Sequence, residues 1–292
     1  MTERVIRPIG SRLDDELRGM DNLELPLTPR RDRLAAIWAG LWPKLAAIGL
    51  ALLVWQLVVW AGFRPVYVLP GPLVVLERLA ADLAGSDLLR ATAITLQRAV
   101  IGFSLALLIG TALGLAIVRS LRLRTAVASL ITGLQTMPSI AWFPLAILLF
   151  GLTETAIMFV VVLGAAPSIA NGLIYGVDHI PRVLLRAGTV LGARGVARYR
   201  YVIFPAALPS FVGGLKQGWA FAWRSLMAGE LLVIIAAVPS IGVRLQFARE
   251  FSDAPGLLST MIIILLIGIL VDLVVFGTLD RAIRRRWGLL EI

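Results

Sequence analysis

Six long apolar stretches dominate this sequence of 292 residues and restrict what it can fold into. Each is close to, or longer than, the ~20 residues that cross ~30 Å of hydrocarbon as an α-helix. A water-soluble core cannot hold this much apolar material, since 59% of the chain is hydrophobic and only 16% is charged. The sequence therefore predicts an all-α integral membrane protein with six transmembrane helices. They are placed at residues 45–63, 99–118, 125–150, 155–175, 211–237 and 257–279.

The residue counts exclude several other classes of protein. The chain has no cysteine, so it forms no disulfide and offers no thiol ligand. The single histidine, His179, excludes a histidine-rich metal site within one chain, and we interpret it as a solvated loop residue. Residues 1–33 are polar and lack the apolar segment of a secretory signal peptide, so we expect them to form a cytoplasmic tail.

Basic residues are distributed unevenly between the two sides that six spans would create. The chain has 28 Lys and Arg against 18 Asp and Glu, and most of the basic residues are inside if the amino terminus is inside. We therefore expect both termini in the cytoplasm, with residues 281–292 as the second tail. The net charge of +10 is then a topology signal, and no nucleic acid is expected as a partner.

Proline and glycine divide the region between the two tails. Pro138 and Pro144 predict a break in the third apolar stretch. The turn at residues 69–72 is followed by leucines at helical spacing, which predicts an amphipathic helix on the outer face. The resulting divisions are a first transmembrane helix at 34–63, an outer-face segment at 64–98, and a core at 99–280 that includes a loop at 178–209.

The loop at residues 178–209 is too long and too patterned for a simple connection. Pro181 can begin a helix with one apolar face, and Gly192 can end it. A second short helix from Gly195 is expected to stop at Pro205. Two amphipathic helices with arginines on their polar side are typical of a docking surface. A basic loop resting on anionic membrane lipid is the alternative.

The same loop carries a spaced motif. Arg186-Ala187-Gly188, then Gly192, Val202 and Phe204-Pro205, resembles the EAA loop of binding-protein-dependent ABC importer permeases. Arg186 replaces the usual Glu of that motif, Gly188 replaces Ala, and Phe204 replaces Leu. In that family the loop is a coupling helix that seats on the ATP-hydrolysing subunit. The resemblance implies this role for Arg186, Ala187, Gly188, Gly192, Ala193, Arg194, Gly195, Val202 and Pro205.

A narrower resemblance covers roughly residues 69–291 and includes Gln135-Thr136-Met137-Pro138, Trp142-Phe143-Pro144 and residues 223–231. These segments look like the nitrate/sulfonate/taurine branch, and most of all its aliphatic sulfonate members. The resemblance implies a type I importer permease fold in the bacterial cytoplasmic membrane. It also implies a homodimer, two ATPase subunits that hold ATP and magnesium, and an external substrate-binding protein. No cofactor is expected in this chain. Taurine, nitrate and a pyrimidine precursor are alternative substrates.

The fifth apolar stretch contains charged residues that suggest a translocation path. Helical spacing places Lys216, Trp223, Met227 and Glu230 on one side, with Arg224 at its edge. Charged groups within a membrane usually face a bundle interior or a wet cavity, so we expect a path lined by Trp223, Arg224, Met227 and Glu230. The alternative is that Arg224 pairs with Glu230 of a second copy or with Asp272. We interpret Asp272 itself as a packing or pairing residue.

Two other functions are less consistent with the sequence. A self-sufficient secondary transporter usually has more spans and an internal repeat. An intramembrane enzyme needs a catalytic constellation, but Lys216 and Ser225 fall on opposite sides of one helix. A nucleotide-binding P-loop motif is absent from the sequence, so ATP hydrolysis is assigned to a separate subunit and not to this chain.

Overall fold

The computed structural model describes residues 33–235 and 238–286, and all the regular structure in these residues is helical. Residues 1–32 of the predicted tail at 1–33 and residues 287–292 of the predicted tail at 281–292 lie outside the described residues, as does Ala237 at the end of the fifth stretch. Arg33 and residues 281–286 are helical. The helices are α1 (Arg33–Trp60), α2 (Pro72–Ala84), α3 (Ser86–Arg119), α4 (Leu121–Thr136), α5 (Phe143–Phe150), α6 (Glu154–Asp178), α7 (Arg182–Val190), α8 (Phe204–Leu232), α9 (Ile241–Glu250), α10 (Ala254–Val271) and α11 (Gly277–Arg286).

Four helices in the described residues are long and apolar enough to cross a membrane. The count rises to five if Ser129–Thr136 of α4 and Ser139–Phe150, which ends with α5, are taken as one span, because they form a pair bent by 98°. That bend lies at Pro138 and confirms the predicted break. Helix α8, the fifth predicted stretch, carries Lys216, Arg224 and Glu230 and is not among the apolar helices. The four are Leu41–Trp60, Ser86–Arg119, Glu154–Asp178 and Ala254–Ile283.

Helix α1 belongs to a unit of its own, residues 1–61. Its residues from Leu41 to Trp60 form a candidate membrane span in which no residue is buried. Most of these residues are leucine, isoleucine, valine and alanine, and Lys44 and Gln56 are the polar exceptions. A helix that is predominantly apolar on all sides suits a lipid environment.

The second unit, residues 62–292, is organised around α3, α6 and α8. Glycines allow these helices to touch through their backbones. A Cβ atom at Gly214 would lie 2.6 Å from the Cα of Gly172, and one at Gly110 would lie 2.6 Å from the carbonyl oxygen of Ala166. Such close approach by small residues is a common means of packing helices in membranes. The three helices therefore form one tightly packed group.

Helix α3 begins at Ser86, although the sequence placed residues 64–98 in an outer-face segment. The amphipathic part of that segment is confined to α2. The predicted boundary was misplaced because polar residues were taken as the end of a loop. Thr95 and Arg98 are instead buried in α3 and hydrogen-bonded to another helix. Polar side chains that looked like the end of a loop are interior groups of a helix of 34 residues.

Helix α2 is attached to α9 and α10 by a cluster of charged residues. Asp82 accepts hydrogen bonds from Arg78 at 3.3 Å, from Ser259 at 3.2 Å and from Arg244. Arg78 also pairs with Asp253, with 2.9 Å between Nη2 and Oδ2. Burial raises the pKa of Asp82, but the hydrogen bonds and charges of Arg244 and Arg78 outweigh this effect. The pKa of Asp82 therefore lies below its ordinary value.

Candidate functional site

The first helix of the predicted docking loop is α7, which follows the end of α6 at Asp178. Pro181 immediately precedes α7. Proline suits the start of a helix because the N–H that it lacks would have no partner within the helix. Gly192 has φ +80° and Gly195 has φ +53°, both in the left-handed region that favours glycine. Helix α7 thus begins and ends where the sequence predicted.

Gly188 is buried where α7 meets the turn at Tyr199–Ile203. A Cβ atom at Gly188 would lie 2.7 Å from Cγ2 of Val202, which is too close for two carbon atoms. The contact explains why this chain has glycine where the related motif has alanine. Gly188 and Val202 are therefore packing residues that hold α7 against the segment leading into α8.

The second predicted helix does not stop at Pro205. The backbone is helical at Val196–Arg198, continues as a π-helical turn at Tyr199–Ile203, and runs directly into α8. Pro205 lies in the first turn of α8, where its missing N–H removes no necessary hydrogen bond because the wider π-turn precedes it. Continuous helix therefore joins Val196 to α8, and α7 contacts this helix where Gly188 meets Val202.

Five apolar side chains in and next to α7 face away from the rest of the chain. We call this set the α7 surface. Val190 and Leu191 are 86% and 85% exposed, the two highest values among the large hydrophobic side chains of the described residues. Arg186 and Arg194 are exposed beside it, as is Ala187, whereas Ala193 is half-buried. The surface consists of Val183, Leu184, Val190, Leu191 and Val196.

Two contacts fix the chain where α6 turns into α7. Asp178, the last residue of α6, forms an ion pair with Arg124 of α4. His179 stacks on Tyr175 with ring centroids 3.8 Å apart, and its Nδ1 lies 2.9 Å from the carbonyl oxygen of Tyr175. His179 is exposed, in agreement with its interpretation as a loop residue.

The predicted path residues do not share one surface of α8. Arg224 is exposed, Met227 is half-buried, Trp223 is 9% exposed, and Glu230 is fully buried. Helical spacing gives the angles between side chains, but it does not show which side of the helix packs against the core. The exposed side of α8 is not the side that Trp223, Met227 and Glu230 share. In the middle of α8 the exposed positions are Gly213, Lys216, Gln217, Ala220 and Arg224.

Arg224 is bound only by its own helix in the described structure. Its Nε donates to the carbonyl oxygen of Ala220 at 3.0 Å, and its guanidinium lies over the ring of Phe221 at 4.7 Å from the centroid. Asp272 instead pairs with Lys216, with 3.0 Å between Oδ1 and Nζ, which confirms that Asp272 is a pairing residue. Neither acidic residue proposed as a partner neutralises Arg224 within this chain.

A groove of about 500 Å³ runs between α8 and α10. Trp223 of α8 lines it together with Gly268 and other residues of α10, and with Asp272. Trp223 is stacked on Trp219 with ring centroids 6.2 Å apart, so its position is held by the core. Trp223 therefore borders an open space, although most of its surface is covered.

A buried network that the sequence did not predict surrounds Glu230. Its carboxylate accepts hydrogen bonds from Thr95 at 3.0 Å, from Arg98 at 2.9 Å and from the backbone N–H of Gly242 at 3.0 Å. Arg98 also binds Glu154 through Nε at 2.9 Å and through Nη2. The residues of this network are far apart in the sequence, and the spacing of apolar residues within one helix cannot reveal such contacts. Among the residues with described positions, no group of three His, Asp or Glu side chains could hold a metal ion.

Comparison with known sequences gives a consistent result. Residues 88–285 match the family model described as a binding-protein-dependent transport system inner membrane component. The taurine transport system permease protein TauC of Escherichia coli is 30% identical over 248 residues, which cover 83% of this chain and 87% of that protein. A candidate aliphatic sulfonates transport permease protein, SsuC of the same organism, is 32% identical over 219 residues. These residues cover 75% of this chain and 82% of that protein.

Two further comparisons extend this likeness. The riboflavin transport system permease protein RibX of Chloroflexus aurantiacus is 31% identical over 264 residues, which cover 89% of this chain and 97% of that protein. Among solved structures, the inward-facing MetNI methionine ABC transporter matches with a TM-score of 0.57 at 20% identity. That match covers 67% of this chain and 95% of the other, and it shows a shared fold.

Proposed function

The chain belongs to the family of binding-protein-dependent transport system inner membrane components, and we propose that it is the permease subunit of an ATP-driven importer for a small sulfonate. Aliphatic sulfonates are the proposed substrates, with taurine next, since relatives named for both are about 30% identical to this chain. The proposal places six spans and cytoplasmic termini in a bacterial inner membrane. The observation that carries it is the α7 surface, an apolar face that no other described part of the chain covers, at the turn between two packed helices.

The proposed assembly contains two copies of this chain, two ATP-binding subunits and an external binding protein. The ATP-binding subunits hold ATP and magnesium, and this chain contributes the docking contact rather than the hydrolysis. Val190, Leu191 and Val196 have apolar area to bury, and burying such side chains contributes ~1.5–3 kcal/mol each. The neighbouring Arg186 and Arg194 supply charge at the rim of the contact.

Co-purification tests the docking contact. Leu191→Asp introduces a charge into the α7 surface at a side chain that is 85% exposed, so folding of the chain should not change. We expect the ATP-binding subunit to co-purify at least tenfold less. Thr189→Asp is the matched control, because it adds the same charge on the far side of α7. Equal recovery with both variants would remove the α7 surface from the docking contact.

The substrate path is proposed to follow the exposed side of α8. Lys216, Gln217 and Arg224 make this side polar, whereas an exposed helix face in lipid should be apolar. Across the axis of a homodimer, two such faces would enclose a wet passage, and Arg224 would offset the charge of a passing anion. Trp223, Met227 and Glu230 then support this path from behind, with Trp223 at the edge of the groove.

Uptake measurements test this path. We expect Arg224→Gln to lower sulfonate uptake by the assembled transporter at least tenfold, while Arg224→Lys retains most of it because it keeps the charge. Unchanged uptake by Arg224→Gln, with normal assembly, would remove Arg224 from the path. Competition by taurine, nitrate, a pyrimidine precursor and riboflavin identifies the substrate class, since RibX shares as much identity as TauC.

A secondary transporter is the competing function. Reconstitution of the chain in lipid, with and without the ATP-binding subunit, separates the two functions. Uptake that requires both ATP and the second subunit supports the proposed importer. Uptake by the chain alone, driven by an ion gradient, would contradict it.

A further inference from the structure

The beginning of α9 is bound by side chains of two other helices. The first backbone amides of a helix have no partners within it and need acceptors from elsewhere. The N–H of Ile241 donates to Oγ1 of Thr95 on α3 at 3.0 Å, and the N–H of Gly242 donates to Oε2 of Glu230 on α8 at 3.0 Å. Helix α9 is therefore seated by polar groups of α3 and α8.

The seat of α9 is rigid because its members bind one another. Thr95 donates to the carboxylate of Glu230 while accepting from Ile241, so one hydroxyl joins three helices. Arg98 neutralises Glu230 and continues the network to Glu154 in the first turn of α6. Glu230 is fully buried, and a buried carboxylate with several charge-assisted hydrogen bonds has little freedom to move.

Helices α6 and α8 touch from one end to the other. A Cβ atom at Gly176 would lie 2.7 Å from the carbonyl oxygen of Ala207, near α7, and one at Gly164 would lie 2.7 Å from Oγ of Ser225. Glu230 is roughly 39 Å beyond Phe204, at 1.5 Å per residue. A packed pair of helices transmits displacement along its axis because interiors are close-packed and hardly compressible.

We infer that Thr95, Arg98 and Glu230 are positioning residues that make α9 move together with α8, so that displacement of α7 is delivered to the opposite end of the bundle. Helix α9 forms one wall of a cavity of about 420 Å³, and α3 and α10 form others, so its movement changes that cavity. The inference rests on the coupling role proposed for α7. The network that is inferred to transmit the displacement contains no residue of the proposed docking contact.

Thr95→Val tests this inference, because it removes the hydroxyl that joins the three helices and nearly preserves the size of the side chain. Thr111→Val is the matched control: it is the same change on the same helix, at a buried hydroxyl that has no hydrogen-bond partner in the described structure. Thr95→Ser keeps the hydroxyl and should restore function. Each variant is assembled with its ATP-binding subunits and binding protein in nanodiscs.

The first readout is substrate transported per ATP hydrolysed. We expect Thr95→Val to lower this ratio at least fivefold with basal ATP hydrolysis within twofold of wild type. Thr111→Val and Thr95→Ser should match wild type. Equal ratios for Thr95→Val and Thr111→Val would overturn the inference. Should Thr95→Val fail to assemble, Glu154→Gln weakens the same network at a half-exposed residue, and an unchanged ratio there would overturn it equally.

The second readout is the position of α9. The sequence has no cysteine, so Arg249→Cys places one spin label on α9 of each copy without background labelling. We expect the distance between the two labels to shift when ATP binds, and the shift to be lost or broadened in Thr95→Val. If the distance between the labels in the wild-type protein does not change when ATP binds, although transport is normal, the inference is overturned. Absence of ATP-driven uptake in wild type would instead refute the proposed function.

Discussion

Removal of the Arg98 charge should destabilise the chain far more than removal of an exposed arginine of the same helix. Glu230 is fully buried, Arg98 is 5% exposed, and Arg98 supplies the only basic side chain within bonding distance of Glu230 in the described structure. Arg98→Met keeps the length of the side chain but leaves the Glu230 carboxylate without a counter-charge. Breaking a buried pair in this way costs ~3–5 kcal/mol. Arg90→Met is the matched control, because Arg90 is exposed on α3.

The free energy of unfolding, measured by denaturant titration in detergent, gives the test. We expect Arg98→Met to lose about 3–5 kcal/mol and Arg90→Met less than about 0.5 kcal/mol. Adding Glu230→Gln to Arg98→Met removes the unpaired charge, so the double variant should be more stable than Arg98→Met alone. Equal stability of the Arg98→Met and Arg90→Met variants would refute this account of the network. A double variant less stable than Arg98→Met would show that charge is not the cause.

Three further outcomes follow from particular contacts. Gly214→Leu should prevent folding, because a Cβ atom at Gly214 would collide with the backbone of Gly172. Gly213→Leu should be tolerated, because a Cβ atom at Gly213 meets nothing within 4 Å. Expression as a monodisperse species in detergent distinguishes the two variants. Pro205→Ala should retain ATP-driven uptake within twofold, since the helix already runs through that residue, and a large loss would contradict the continuous path. The stability contributed by Asp82 is present above its ordinary pKa of ~3.9 and is lost as pH falls through its lowered pKa. The difference in thermal midpoint between wild type and Asp82→Asn should therefore be full at pH 7 and shrink steadily as the pH falls below ~3.9.

Local rules explain which parts of the fold were predictable. Pro138 breaks the third stretch and Gly192 ends α7, because each residue restricts the backbone wherever it occurs. Pro205 is the exception. The helix continues through it from the π-turn at Tyr199–Ile203, and Val202 of that turn packs against Gly188 of α7. A local signal fails where tertiary packing supplies an alternative.

The candidate site shows where sequence reasoning lacks information. The spacing of Trp223, Met227 and Glu230 gave their angles around α8 but not which side faces α3 and α6. Arg98 was counted as a loop charge, since its partners Glu154 and Glu230 are 56 and 132 residues away in the sequence. The apolar pattern of α7 was visible, whereas its exposure became apparent only once its neighbours had been placed.

The central claim is that the α7 surface links this chain to an ATP-hydrolysing partner that drives import. Its most direct test is ATP-driven sulfonate uptake in proteoliposomes that contain this chain, its ATP-binding subunit and the external binding protein. The account predicts uptake that requires ATP, persists in Thr189→Asp and falls at least tenfold in Leu191→Asp. Uptake that Leu191→Asp leaves unchanged, or that proceeds without the ATP-binding subunit, would contradict it.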